Sequence, residues 1–153
     1  MTVNPQLSDT ELGVVLPDCV LVAVDLSRTS LRAADYAVGL ARRNGVGVVG
    51  VYVRHCNALT LSTPGAAVYA KTTEGELAEE AGEYISGNAS RAGTNCAFTV
   101  LDGSPCTAIR RLARDLKASA IVVGASEQRV HRWFGSLAAR LARKAPCPVI
   151  IVP

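Results

Sequence analysis

The sequence predicts a single doubly wound α/β domain, a parallel sheet with helices on both faces. Three observations predict it. Five short apolar runs, each about strand length, alternate with four stretches whose apolar residues recur at helical spacing. The 49% hydrophobic content comes mainly from Ala, Val and Leu, with aromatics at only 5%, a mix suited to buried strands under Ala-rich helices. A chain of 153 residues is long enough for one such domain and too short for two comfortable ones.

Each element has its own signal. Cys19 to Asp25 (CVLVAVD) is the first buried strand, and a polar turn follows at Leu26 to Thr29. A helix from about Ser30 to Arg43 places Leu31, Ala34, Val38 and Ala41 on one face, and Asn44-Gly45 stops it. Val46 to Val53 is the second strand; its nearly continuous apolar character marks burial on both faces and hence a parallel sheet. A loop containing Ser62-Thr63-Pro64-Gly65 leads to a second helix, roughly Thr73 to Asn88, with Thr73 and Glu76 as a capping box. Leu77, Ala81, Tyr84 and Ile85 trace its face, with Asn88 a weak member.

Cys96 to Leu101 is the third strand, ending in Asp102-Gly103. Ser104-Pro105 then starts a third helix as N-cap and first-position proline, with Ile109, Leu112, Ala113 and Leu116 along one face. Ala118 to Gly124 is the fourth strand, Ser136 to Lys144 a short basic helix, and Pro148 to Val152 the fifth strand. Right-handed crossovers fold this order into a doubly wound sheet, and such sheets take ligands beyond the carboxyl ends of their strands, where strand order reverses. Residues 1–17, polar with two prolines, read as a loosely ordered segment before a single domain over 18–153.

Composition narrows the function. No apolar run approaches the roughly 18 residues that span a bilayer, and Met1 to Val15 has no signal-peptide pattern. Five cysteines without a C-x-x-C or zinc spacing read as reduced thiols, so the expected compartment is the cytoplasm. The net charge of +3 is uneven: residues 104–153 carry 9 basic and 2 acidic side chains, against 7 and 11 before them. A basic final third suits an anionic ligand or a solvated helix face. Basic residues are not interleaved with exposed aromatics, and no nucleic-acid recognition motif appears, so no nucleic-acid partner is expected.

The candidate site is the segment Gly124–Ser136 together with Asp25, which ends the first strand. Gly135-Ser136 stands at a helix start, where free backbone N–H groups and the positive dipole end suit phosphate. An ordinary strand–loop–helix joint has the same residues. Arg129, His131 and Arg132 bring positive charge to the loop, and Arg can clamp a phosphate with two hydrogen bonds. Trp133-Phe134 reads as a cap on the core, Cys106 as a quiet helix-start thiol, and His55-Cys56 as loop residues. The acidic residues of the second helix (Glu74, Glu76, Glu79, Glu80, Glu83) read as a solvated surface. His131 has no Ser or Cys partner suggesting a triad, so nucleophilic catalysis has no support and the protein reads as a binder more than an enzyme.

From about Cys19 to Pro153 the chain resembles the universal stress protein family. The resemblance rests on VAVDLSRTSLRAADYAVGLAR, on DGSPCTAIRRLARDLKASAIVVGAS, and most specifically on GSLAARLARKAPCPVIIVP. It implies a Rossmann-like, adenine nucleotide alpha hydrolase-like sheet of order 3-2-1-4-5, with the first and fourth strands side by side. It further implies a regulatory role in the stress response and an adenine nucleotide, ATP or AMP, at that junction, with Mg²⁺ only alongside nucleotide. Asp25 would contact the ribose or the metal, Val51 the adenine, and Gly124, Gly135 and Ser136 the phosphates; Ser126, Arg129 and Leu137, read from their own place in and beside the loop, complete the candidate site. The resemblance also implies a homodimer paired through the fifth strand, Pro148 to Val152, whose apolar edge invites such pairing.

The loop departs from the pattern G-x2-G-x9-G-[ST] of ATP-binding members. Glu127 stands where the second glycine belongs, and Gly135 arrives two residues early. A carboxylate repels phosphate unless metal or Arg screens it. Two functions from different classes therefore stand open, a nucleotide-sensing regulator and a dimer that acts through protein partners without nucleotide; a weak nucleotide hydrolase is a distant third, lacking a general base and a Walker-type lysine.

Overall fold

The computed structural model describes residues 16, 18–54, 64–125 and 137–153, and over 64–72 the backbone alone. Nine elements alternate: β1 (Val20–Ala23), α1 (Arg28–Asn44), β2 (Val48–Arg54), α2 (Pro64–Ala92), β3 (Cys96–Asp102), α3 (Pro105–Asp115), β4 (Ala120–Gly124), α4 (Leu137–Lys144) and β5 (Val149–Val152). The five strands form one parallel sheet of order β3-β2-β1-β4-β5, as the resemblance implies.

Alternation along the strands sends successive side chains to opposite faces, so the sheet has two cores. On one face Val20, Val22 and Val24 pack with Ala33, Ala34, Ala37, Ala41 of α1 and Ala81, Ile85, Ala89 of α2. On the other, Leu21, Val49, Val51 and Ile121 pack with Ile109, Leu112, Ala113 of α3 and Ala138, Leu141 of α4. Small alanines let α1 lie close to the sheet. In the middle of β2, Gly50 leaves room for Phe98 and Ile85; a Cβ there would stand 2.8 Å from the Phe98 ring. Cys19, Cys96 and Cys106 are buried free thiols, and burial pushes Cys19 up to about 12 and Cys96 up to about 11.

Local chemistry sets the boundaries. Ser27 caps α1, its Oγ accepting from Ser30 N, while Gly45 closes the helix in the left-handed conformation at φ 68°. Lys117, at φ 51°, plays that closing role after α3: its N–H reaches the Arg114 carbonyl and Ala118 N–H reaches that of Ala113. Ser104 takes the N-cap position of α3 with Pro105 at the helix start, but makes no side-chain cap hydrogen bond.

The largest correction concerns α2, which begins at Pro64 and not near Thr73. Proline at a first helical position gives up no hydrogen bond, and Ala66, Ala67, Ala70 and Lys71 favour helix, so the turn-like Pro64-Gly65 pair opens the helix. Thr73 is therefore interior, and the Thr73–Glu76 capping box does not form. At 29 residues, α2 is about 43 Å long. Its buried face ends in Ala89, whereas Asn88 turns outward to hydrogen-bond Asp35 of α1.

Candidate functional site

The strand order puts the carboxyl ends of β1 and β4 next to each other, with α1 leaving toward one face and α4 lying on the other. This is the reversal point at which open α/β sheets leave a crevice.

Two glycine-permitted and hydroxyl-mediated contacts build the junction. A Cβ on Gly124 would lie 2.5 Å from the Thr29 carbonyl carbon and 2.6 Å from Ser30 N, so β4 meets the first turn of α1 backbone to backbone. Thr29 Oγ1 then donates to the Ala125 carbonyl at 2.7 Å, tying the chain beyond β4 to the same turn. At the far side, Ala125 N donates to the Val152 carbonyl at 2.7 Å, so β5 is stitched to the junction as well.

Asp25 is exposed just past β1 and is organised by its neighbours. Ser27 N donates to Oδ1 at 3.0 Å, and Asp25 N donates to Ser30 Oγ at 3.2 Å. Ser30, itself buried, donates its hydroxyl to the Ser27 carbonyl at 3.0 Å. Partial burial alone would raise the Asp25 carboxyl, but hydrogen bonds involving Ser27 and Ser30 outweigh it and hold the carboxyl below its ordinary range. The side chain is therefore an ionised acceptor at neutral pH, suited to hydroxyl donors or a cation. Between Asp25 and the Ser27 cap, Leu26 sits at φ 64°, a conformation a leucine adopts at a cost of about 1 kcal/mol.

The other sequence-singled residues fall into two groups. Val51 is 1% exposed within the α3/α4-side core, and its carbonyl accepts from Val24 N at 3.0 Å. On the same side Ala23, Val53, Leu101 and Leu137 are only partly buried, leaving an apolar shelf along the strand ends. Leu137 opens α4. Ser126, Arg129, Gly135 and Ser136 lie outside the described residues, as do Glu127, His131, Arg132, Trp133-Phe134 and His55-Cys56. Among the described residues no group of three His, Cys, Asp or Glu side chains converges on a metal position.

Three neighbours of the site were not singled out from the sequence. Thr29 and Ser30 were legible only as turn and helix-start residues, although S-x-x-S at 27–30 is a capping pattern. Tyr52, 6% exposed, donates its hydroxyl to Glu74 Oε2 at 2.9 Å, so Glu74 does not belong to the solvated face. Burial first, and then Glu74, push the Tyr52 phenol up to about 12. At the outer strand ends, Arg54 grips Asp102 through Nε to Oδ1 at 2.8 Å and Nη2 to Oδ2 at 2.9 Å, closing the β2–β3 pair.

A parallel five-stranded sheet with an ionised aspartate and a close-approach glycine at its reversal point defines a Rossmann-like α/β protein of the adenine nucleotide alpha hydrolase-like type. A family model described as the Universal stress protein family matches residues 18–153, and the chain belongs to that family. It is 32% identical over 137 residues to a putative universal stress protein of Staphylococcus epidermidis, covering 87% of this chain and 82% of that one. A universal stress protein of Methanocaldococcus jannaschii is 28% identical over 138 residues, covering 87% and 80%. Among solved structures, a universal stress protein in complex with cAMP superposes with a TM-score of 0.72 at 26% identity, covering 89% of this chain and 97% of that one. The universal stress protein from Archaeoglobus fulgidus in complex with dAMP gives 0.65 at 26% identity, covering 90% and 99%.

Proposed function

We propose that this domain is a regulatory protein of the stress response that binds an adenine nucleotide, ATP or AMP, at the carboxyl ends of β1 and β4 without turning it over. The observation that carries the reading is the ionised Asp25 carboxylate beside the Gly124–Thr29 junction. The similar structures that hold cAMP and dAMP support the same ligand class.

In this reading Asp25 accepts from the ribose hydroxyls or, when Mg²⁺ accompanies the nucleotide, shares the metal with the phosphates. The base lies on the apolar shelf of Ala23, Val53, Leu101 and Leu137, with Val51 behind it. Ser126, Arg129, Gly135 and Ser136 serve the phosphates. Glu127 and the shortened loop weaken the phosphate end, which favours a ligand with few phosphates.

Calorimetric titration of ATP, AMP and cAMP, with and without Mg²⁺, tests the reading together with identification of any nucleotide released on denaturation. Binding that falls at least about tenfold in Asp25→Ala supports it. No heat and no released nucleotide would sink it, and phosphate release abolished in Asp25→Ala would make the protein a hydrolase.

A second reading, a homodimer that acts through protein partners without nucleotide, draws on β5. That strand is at the sheet edge, and its Ile151 is 46% exposed. An apolar parallel edge presents unpaired backbone groups and favours antiparallel pairing with a second copy. In either reading the protein works in the cytoplasm as a dimer, the location resting on its reduced-thiol cysteine pattern. No helix of the described residues is long and apolar enough to cross a membrane.

A further inference from the structure

The two helical layers carry opposite charge on their outer surfaces. On α2, Glu76, Glu79, Glu80 and Glu83 are exposed. Their spacing places them on one side of the helix, away from the buried Ala78, Ala81 and Ile85. No lysine or arginine occurs between Thr72 and Ser90. The stripe is about 10 Å long.

On the other side of the sheet, α3 and its exit carry exposed Arg111, Arg114 and Lys117, and α4 carries exposed Arg140, Arg143 and Lys144. Arg110 Nε donates to the Lys144 carbonyl at 2.8 Å, so the two helices present these cations as one surface. Asp115 is the single acid in residues 104–125 and 137–153. Among the described residues, no ion pair engages either set; the ion pair they form is Arg54–Asp102.

We propose that the two surfaces dock on each other between copies, the α2 carboxylates of one molecule on the α3/α4 cations of the next. The occupant is a second copy because the charges are complementary: this same chain supplies the carboxylates at helical spacing. Among the described residues neither exposed large apolar side chain, Tyr36 or Ile151, lies on α3 or α4, so these two helices themselves offer no aromatic on which a nucleic-acid base would stack. Because the surfaces lie on opposite faces of the sheet, the contact is head-to-tail and builds a ring or an open chain of copies, not a two-fold pair. It also leaves the free edge of β5 uncovered, so it is independent of edge pairing. Exposed pairs are individually weak and screened by salt, which makes the association concentration-dependent and tuned by ionic strength.

Sedimentation of the full chain at about 20 mM and about 500 mM salt tests this, because the Debye length shrinks severalfold between them. The expected result is a mass that rises with concentration at low salt, by about twofold or more, and returns to a salt-resistant unit at high salt. The variant Arg111→Glu/Arg114→Glu/Arg140→Glu/Arg143→Glu and the variant Glu76→Lys/Glu79→Lys/Glu80→Lys/Glu83→Lys each lose the low-salt species. Mixed together they regain it, since one is then acidic and the other basic on both faces. Circular dichroism of each variant verifies that it is folded. A mass indifferent to salt, or a mixture that fails to associate, overturns the proposal. So does tight binding of polyglutamate or duplex DNA by a wild-type chain that does not self-associate.

Discussion

Gly124 and Thr29 meet backbone to backbone: a Cβ on the glycine would stand 2.5 Å from the threonine carbonyl carbon, and the hydroxyl of Thr29 reaches the Ala125 carbonyl at 2.7 Å. The end of β4 is thereby locked against the first turn of α1, beside Asp25. Since the obstacle to any side chain at 124 is backbone and not a flexible tip, relief requires movement of the helix or the strand. Gly124→Ala is therefore expected to destabilise by about 1–3 kcal/mol. Thr29→Val, which removes only the hydroxyl, is expected to cost about 1 kcal/mol. Denaturant midpoints measure both; an alanine at 124 with no effect would mean that the junction yields freely.

Asp25 predicts a pH dependence. Its folded carboxyl lies below the ordinary range, so the charged form contributes stability that is present above about pH 4 and is lost as pH falls through the lower folded value. Asp25→Asn keeps an acceptor for Ser27 N but has no charge to lose. Wild type is expected to be the more stable at neutral pH, with the difference shrinking in acid, as followed by thermal melts across pH 2 to 7. A constant difference over that range would assign the effect to shape and not to charge.

The Tyr52–Glu74 hydrogen bond, at 2.9 Å, joins β2 to α2 next to the site. Tyr52→Phe leaves Glu74 without this donor and is expected to cost about 1 kcal/mol at neutral pH. Because the folded phenol is raised to about 12, against 10.0 ordinarily, wild type holds its proton more tightly when folded. Its extra stability is complete below pH 10 and disappears toward pH 12, a loss the Phe variant lacks. Ultraviolet titration of the phenolate in wild type and variant reads this directly.

Ile151 separates edge pairing from folding. At 46% exposed it contributes little to the core of one chain, so Ile151→Lys is expected to change monomer stability by about 0.5 kcal/mol or less. Light scattering at high salt is expected to show a dimer in wild type and a monomer in the variant. A dimer that survives the substitution would place the interface elsewhere.

Much of this architecture is written locally. The continuous apolar run in CVLVAVD, the unbroken apolar character of Val46 to Val53, and the alanine-rich periodicity of residues 31–41 each report burial that any neighbour of the right polarity would satisfy. The five strands, the four helices and the position of Asp25 and Gly124 at strand ends follow from such signals, and the family motifs add the strand order. The start of α2 was less legible because Pro64-Gly65 is both a turn pair and an acceptable helix opening. Only the helical backbone over 64–72 distinguishes the two.

What tertiary structure alone decided are the contacts between distant segments. Glycine at 124 is required by the approach of Thr29, and Glu74 has a partner because Tyr52 lies beneath α2. Leu26 and Lys117 take left-handed conformations that their side chains do not announce. The reason is physical: periodicity is set within a few residues of the chain, whereas a 2.5 Å approach or a buried hydroxyl's acceptor depends on which strands become neighbours. Asp25 and the serines that organise it, Ser27 and Ser30, belong to the first kind of information, and the closure of β4 on Thr29 beside them to the second.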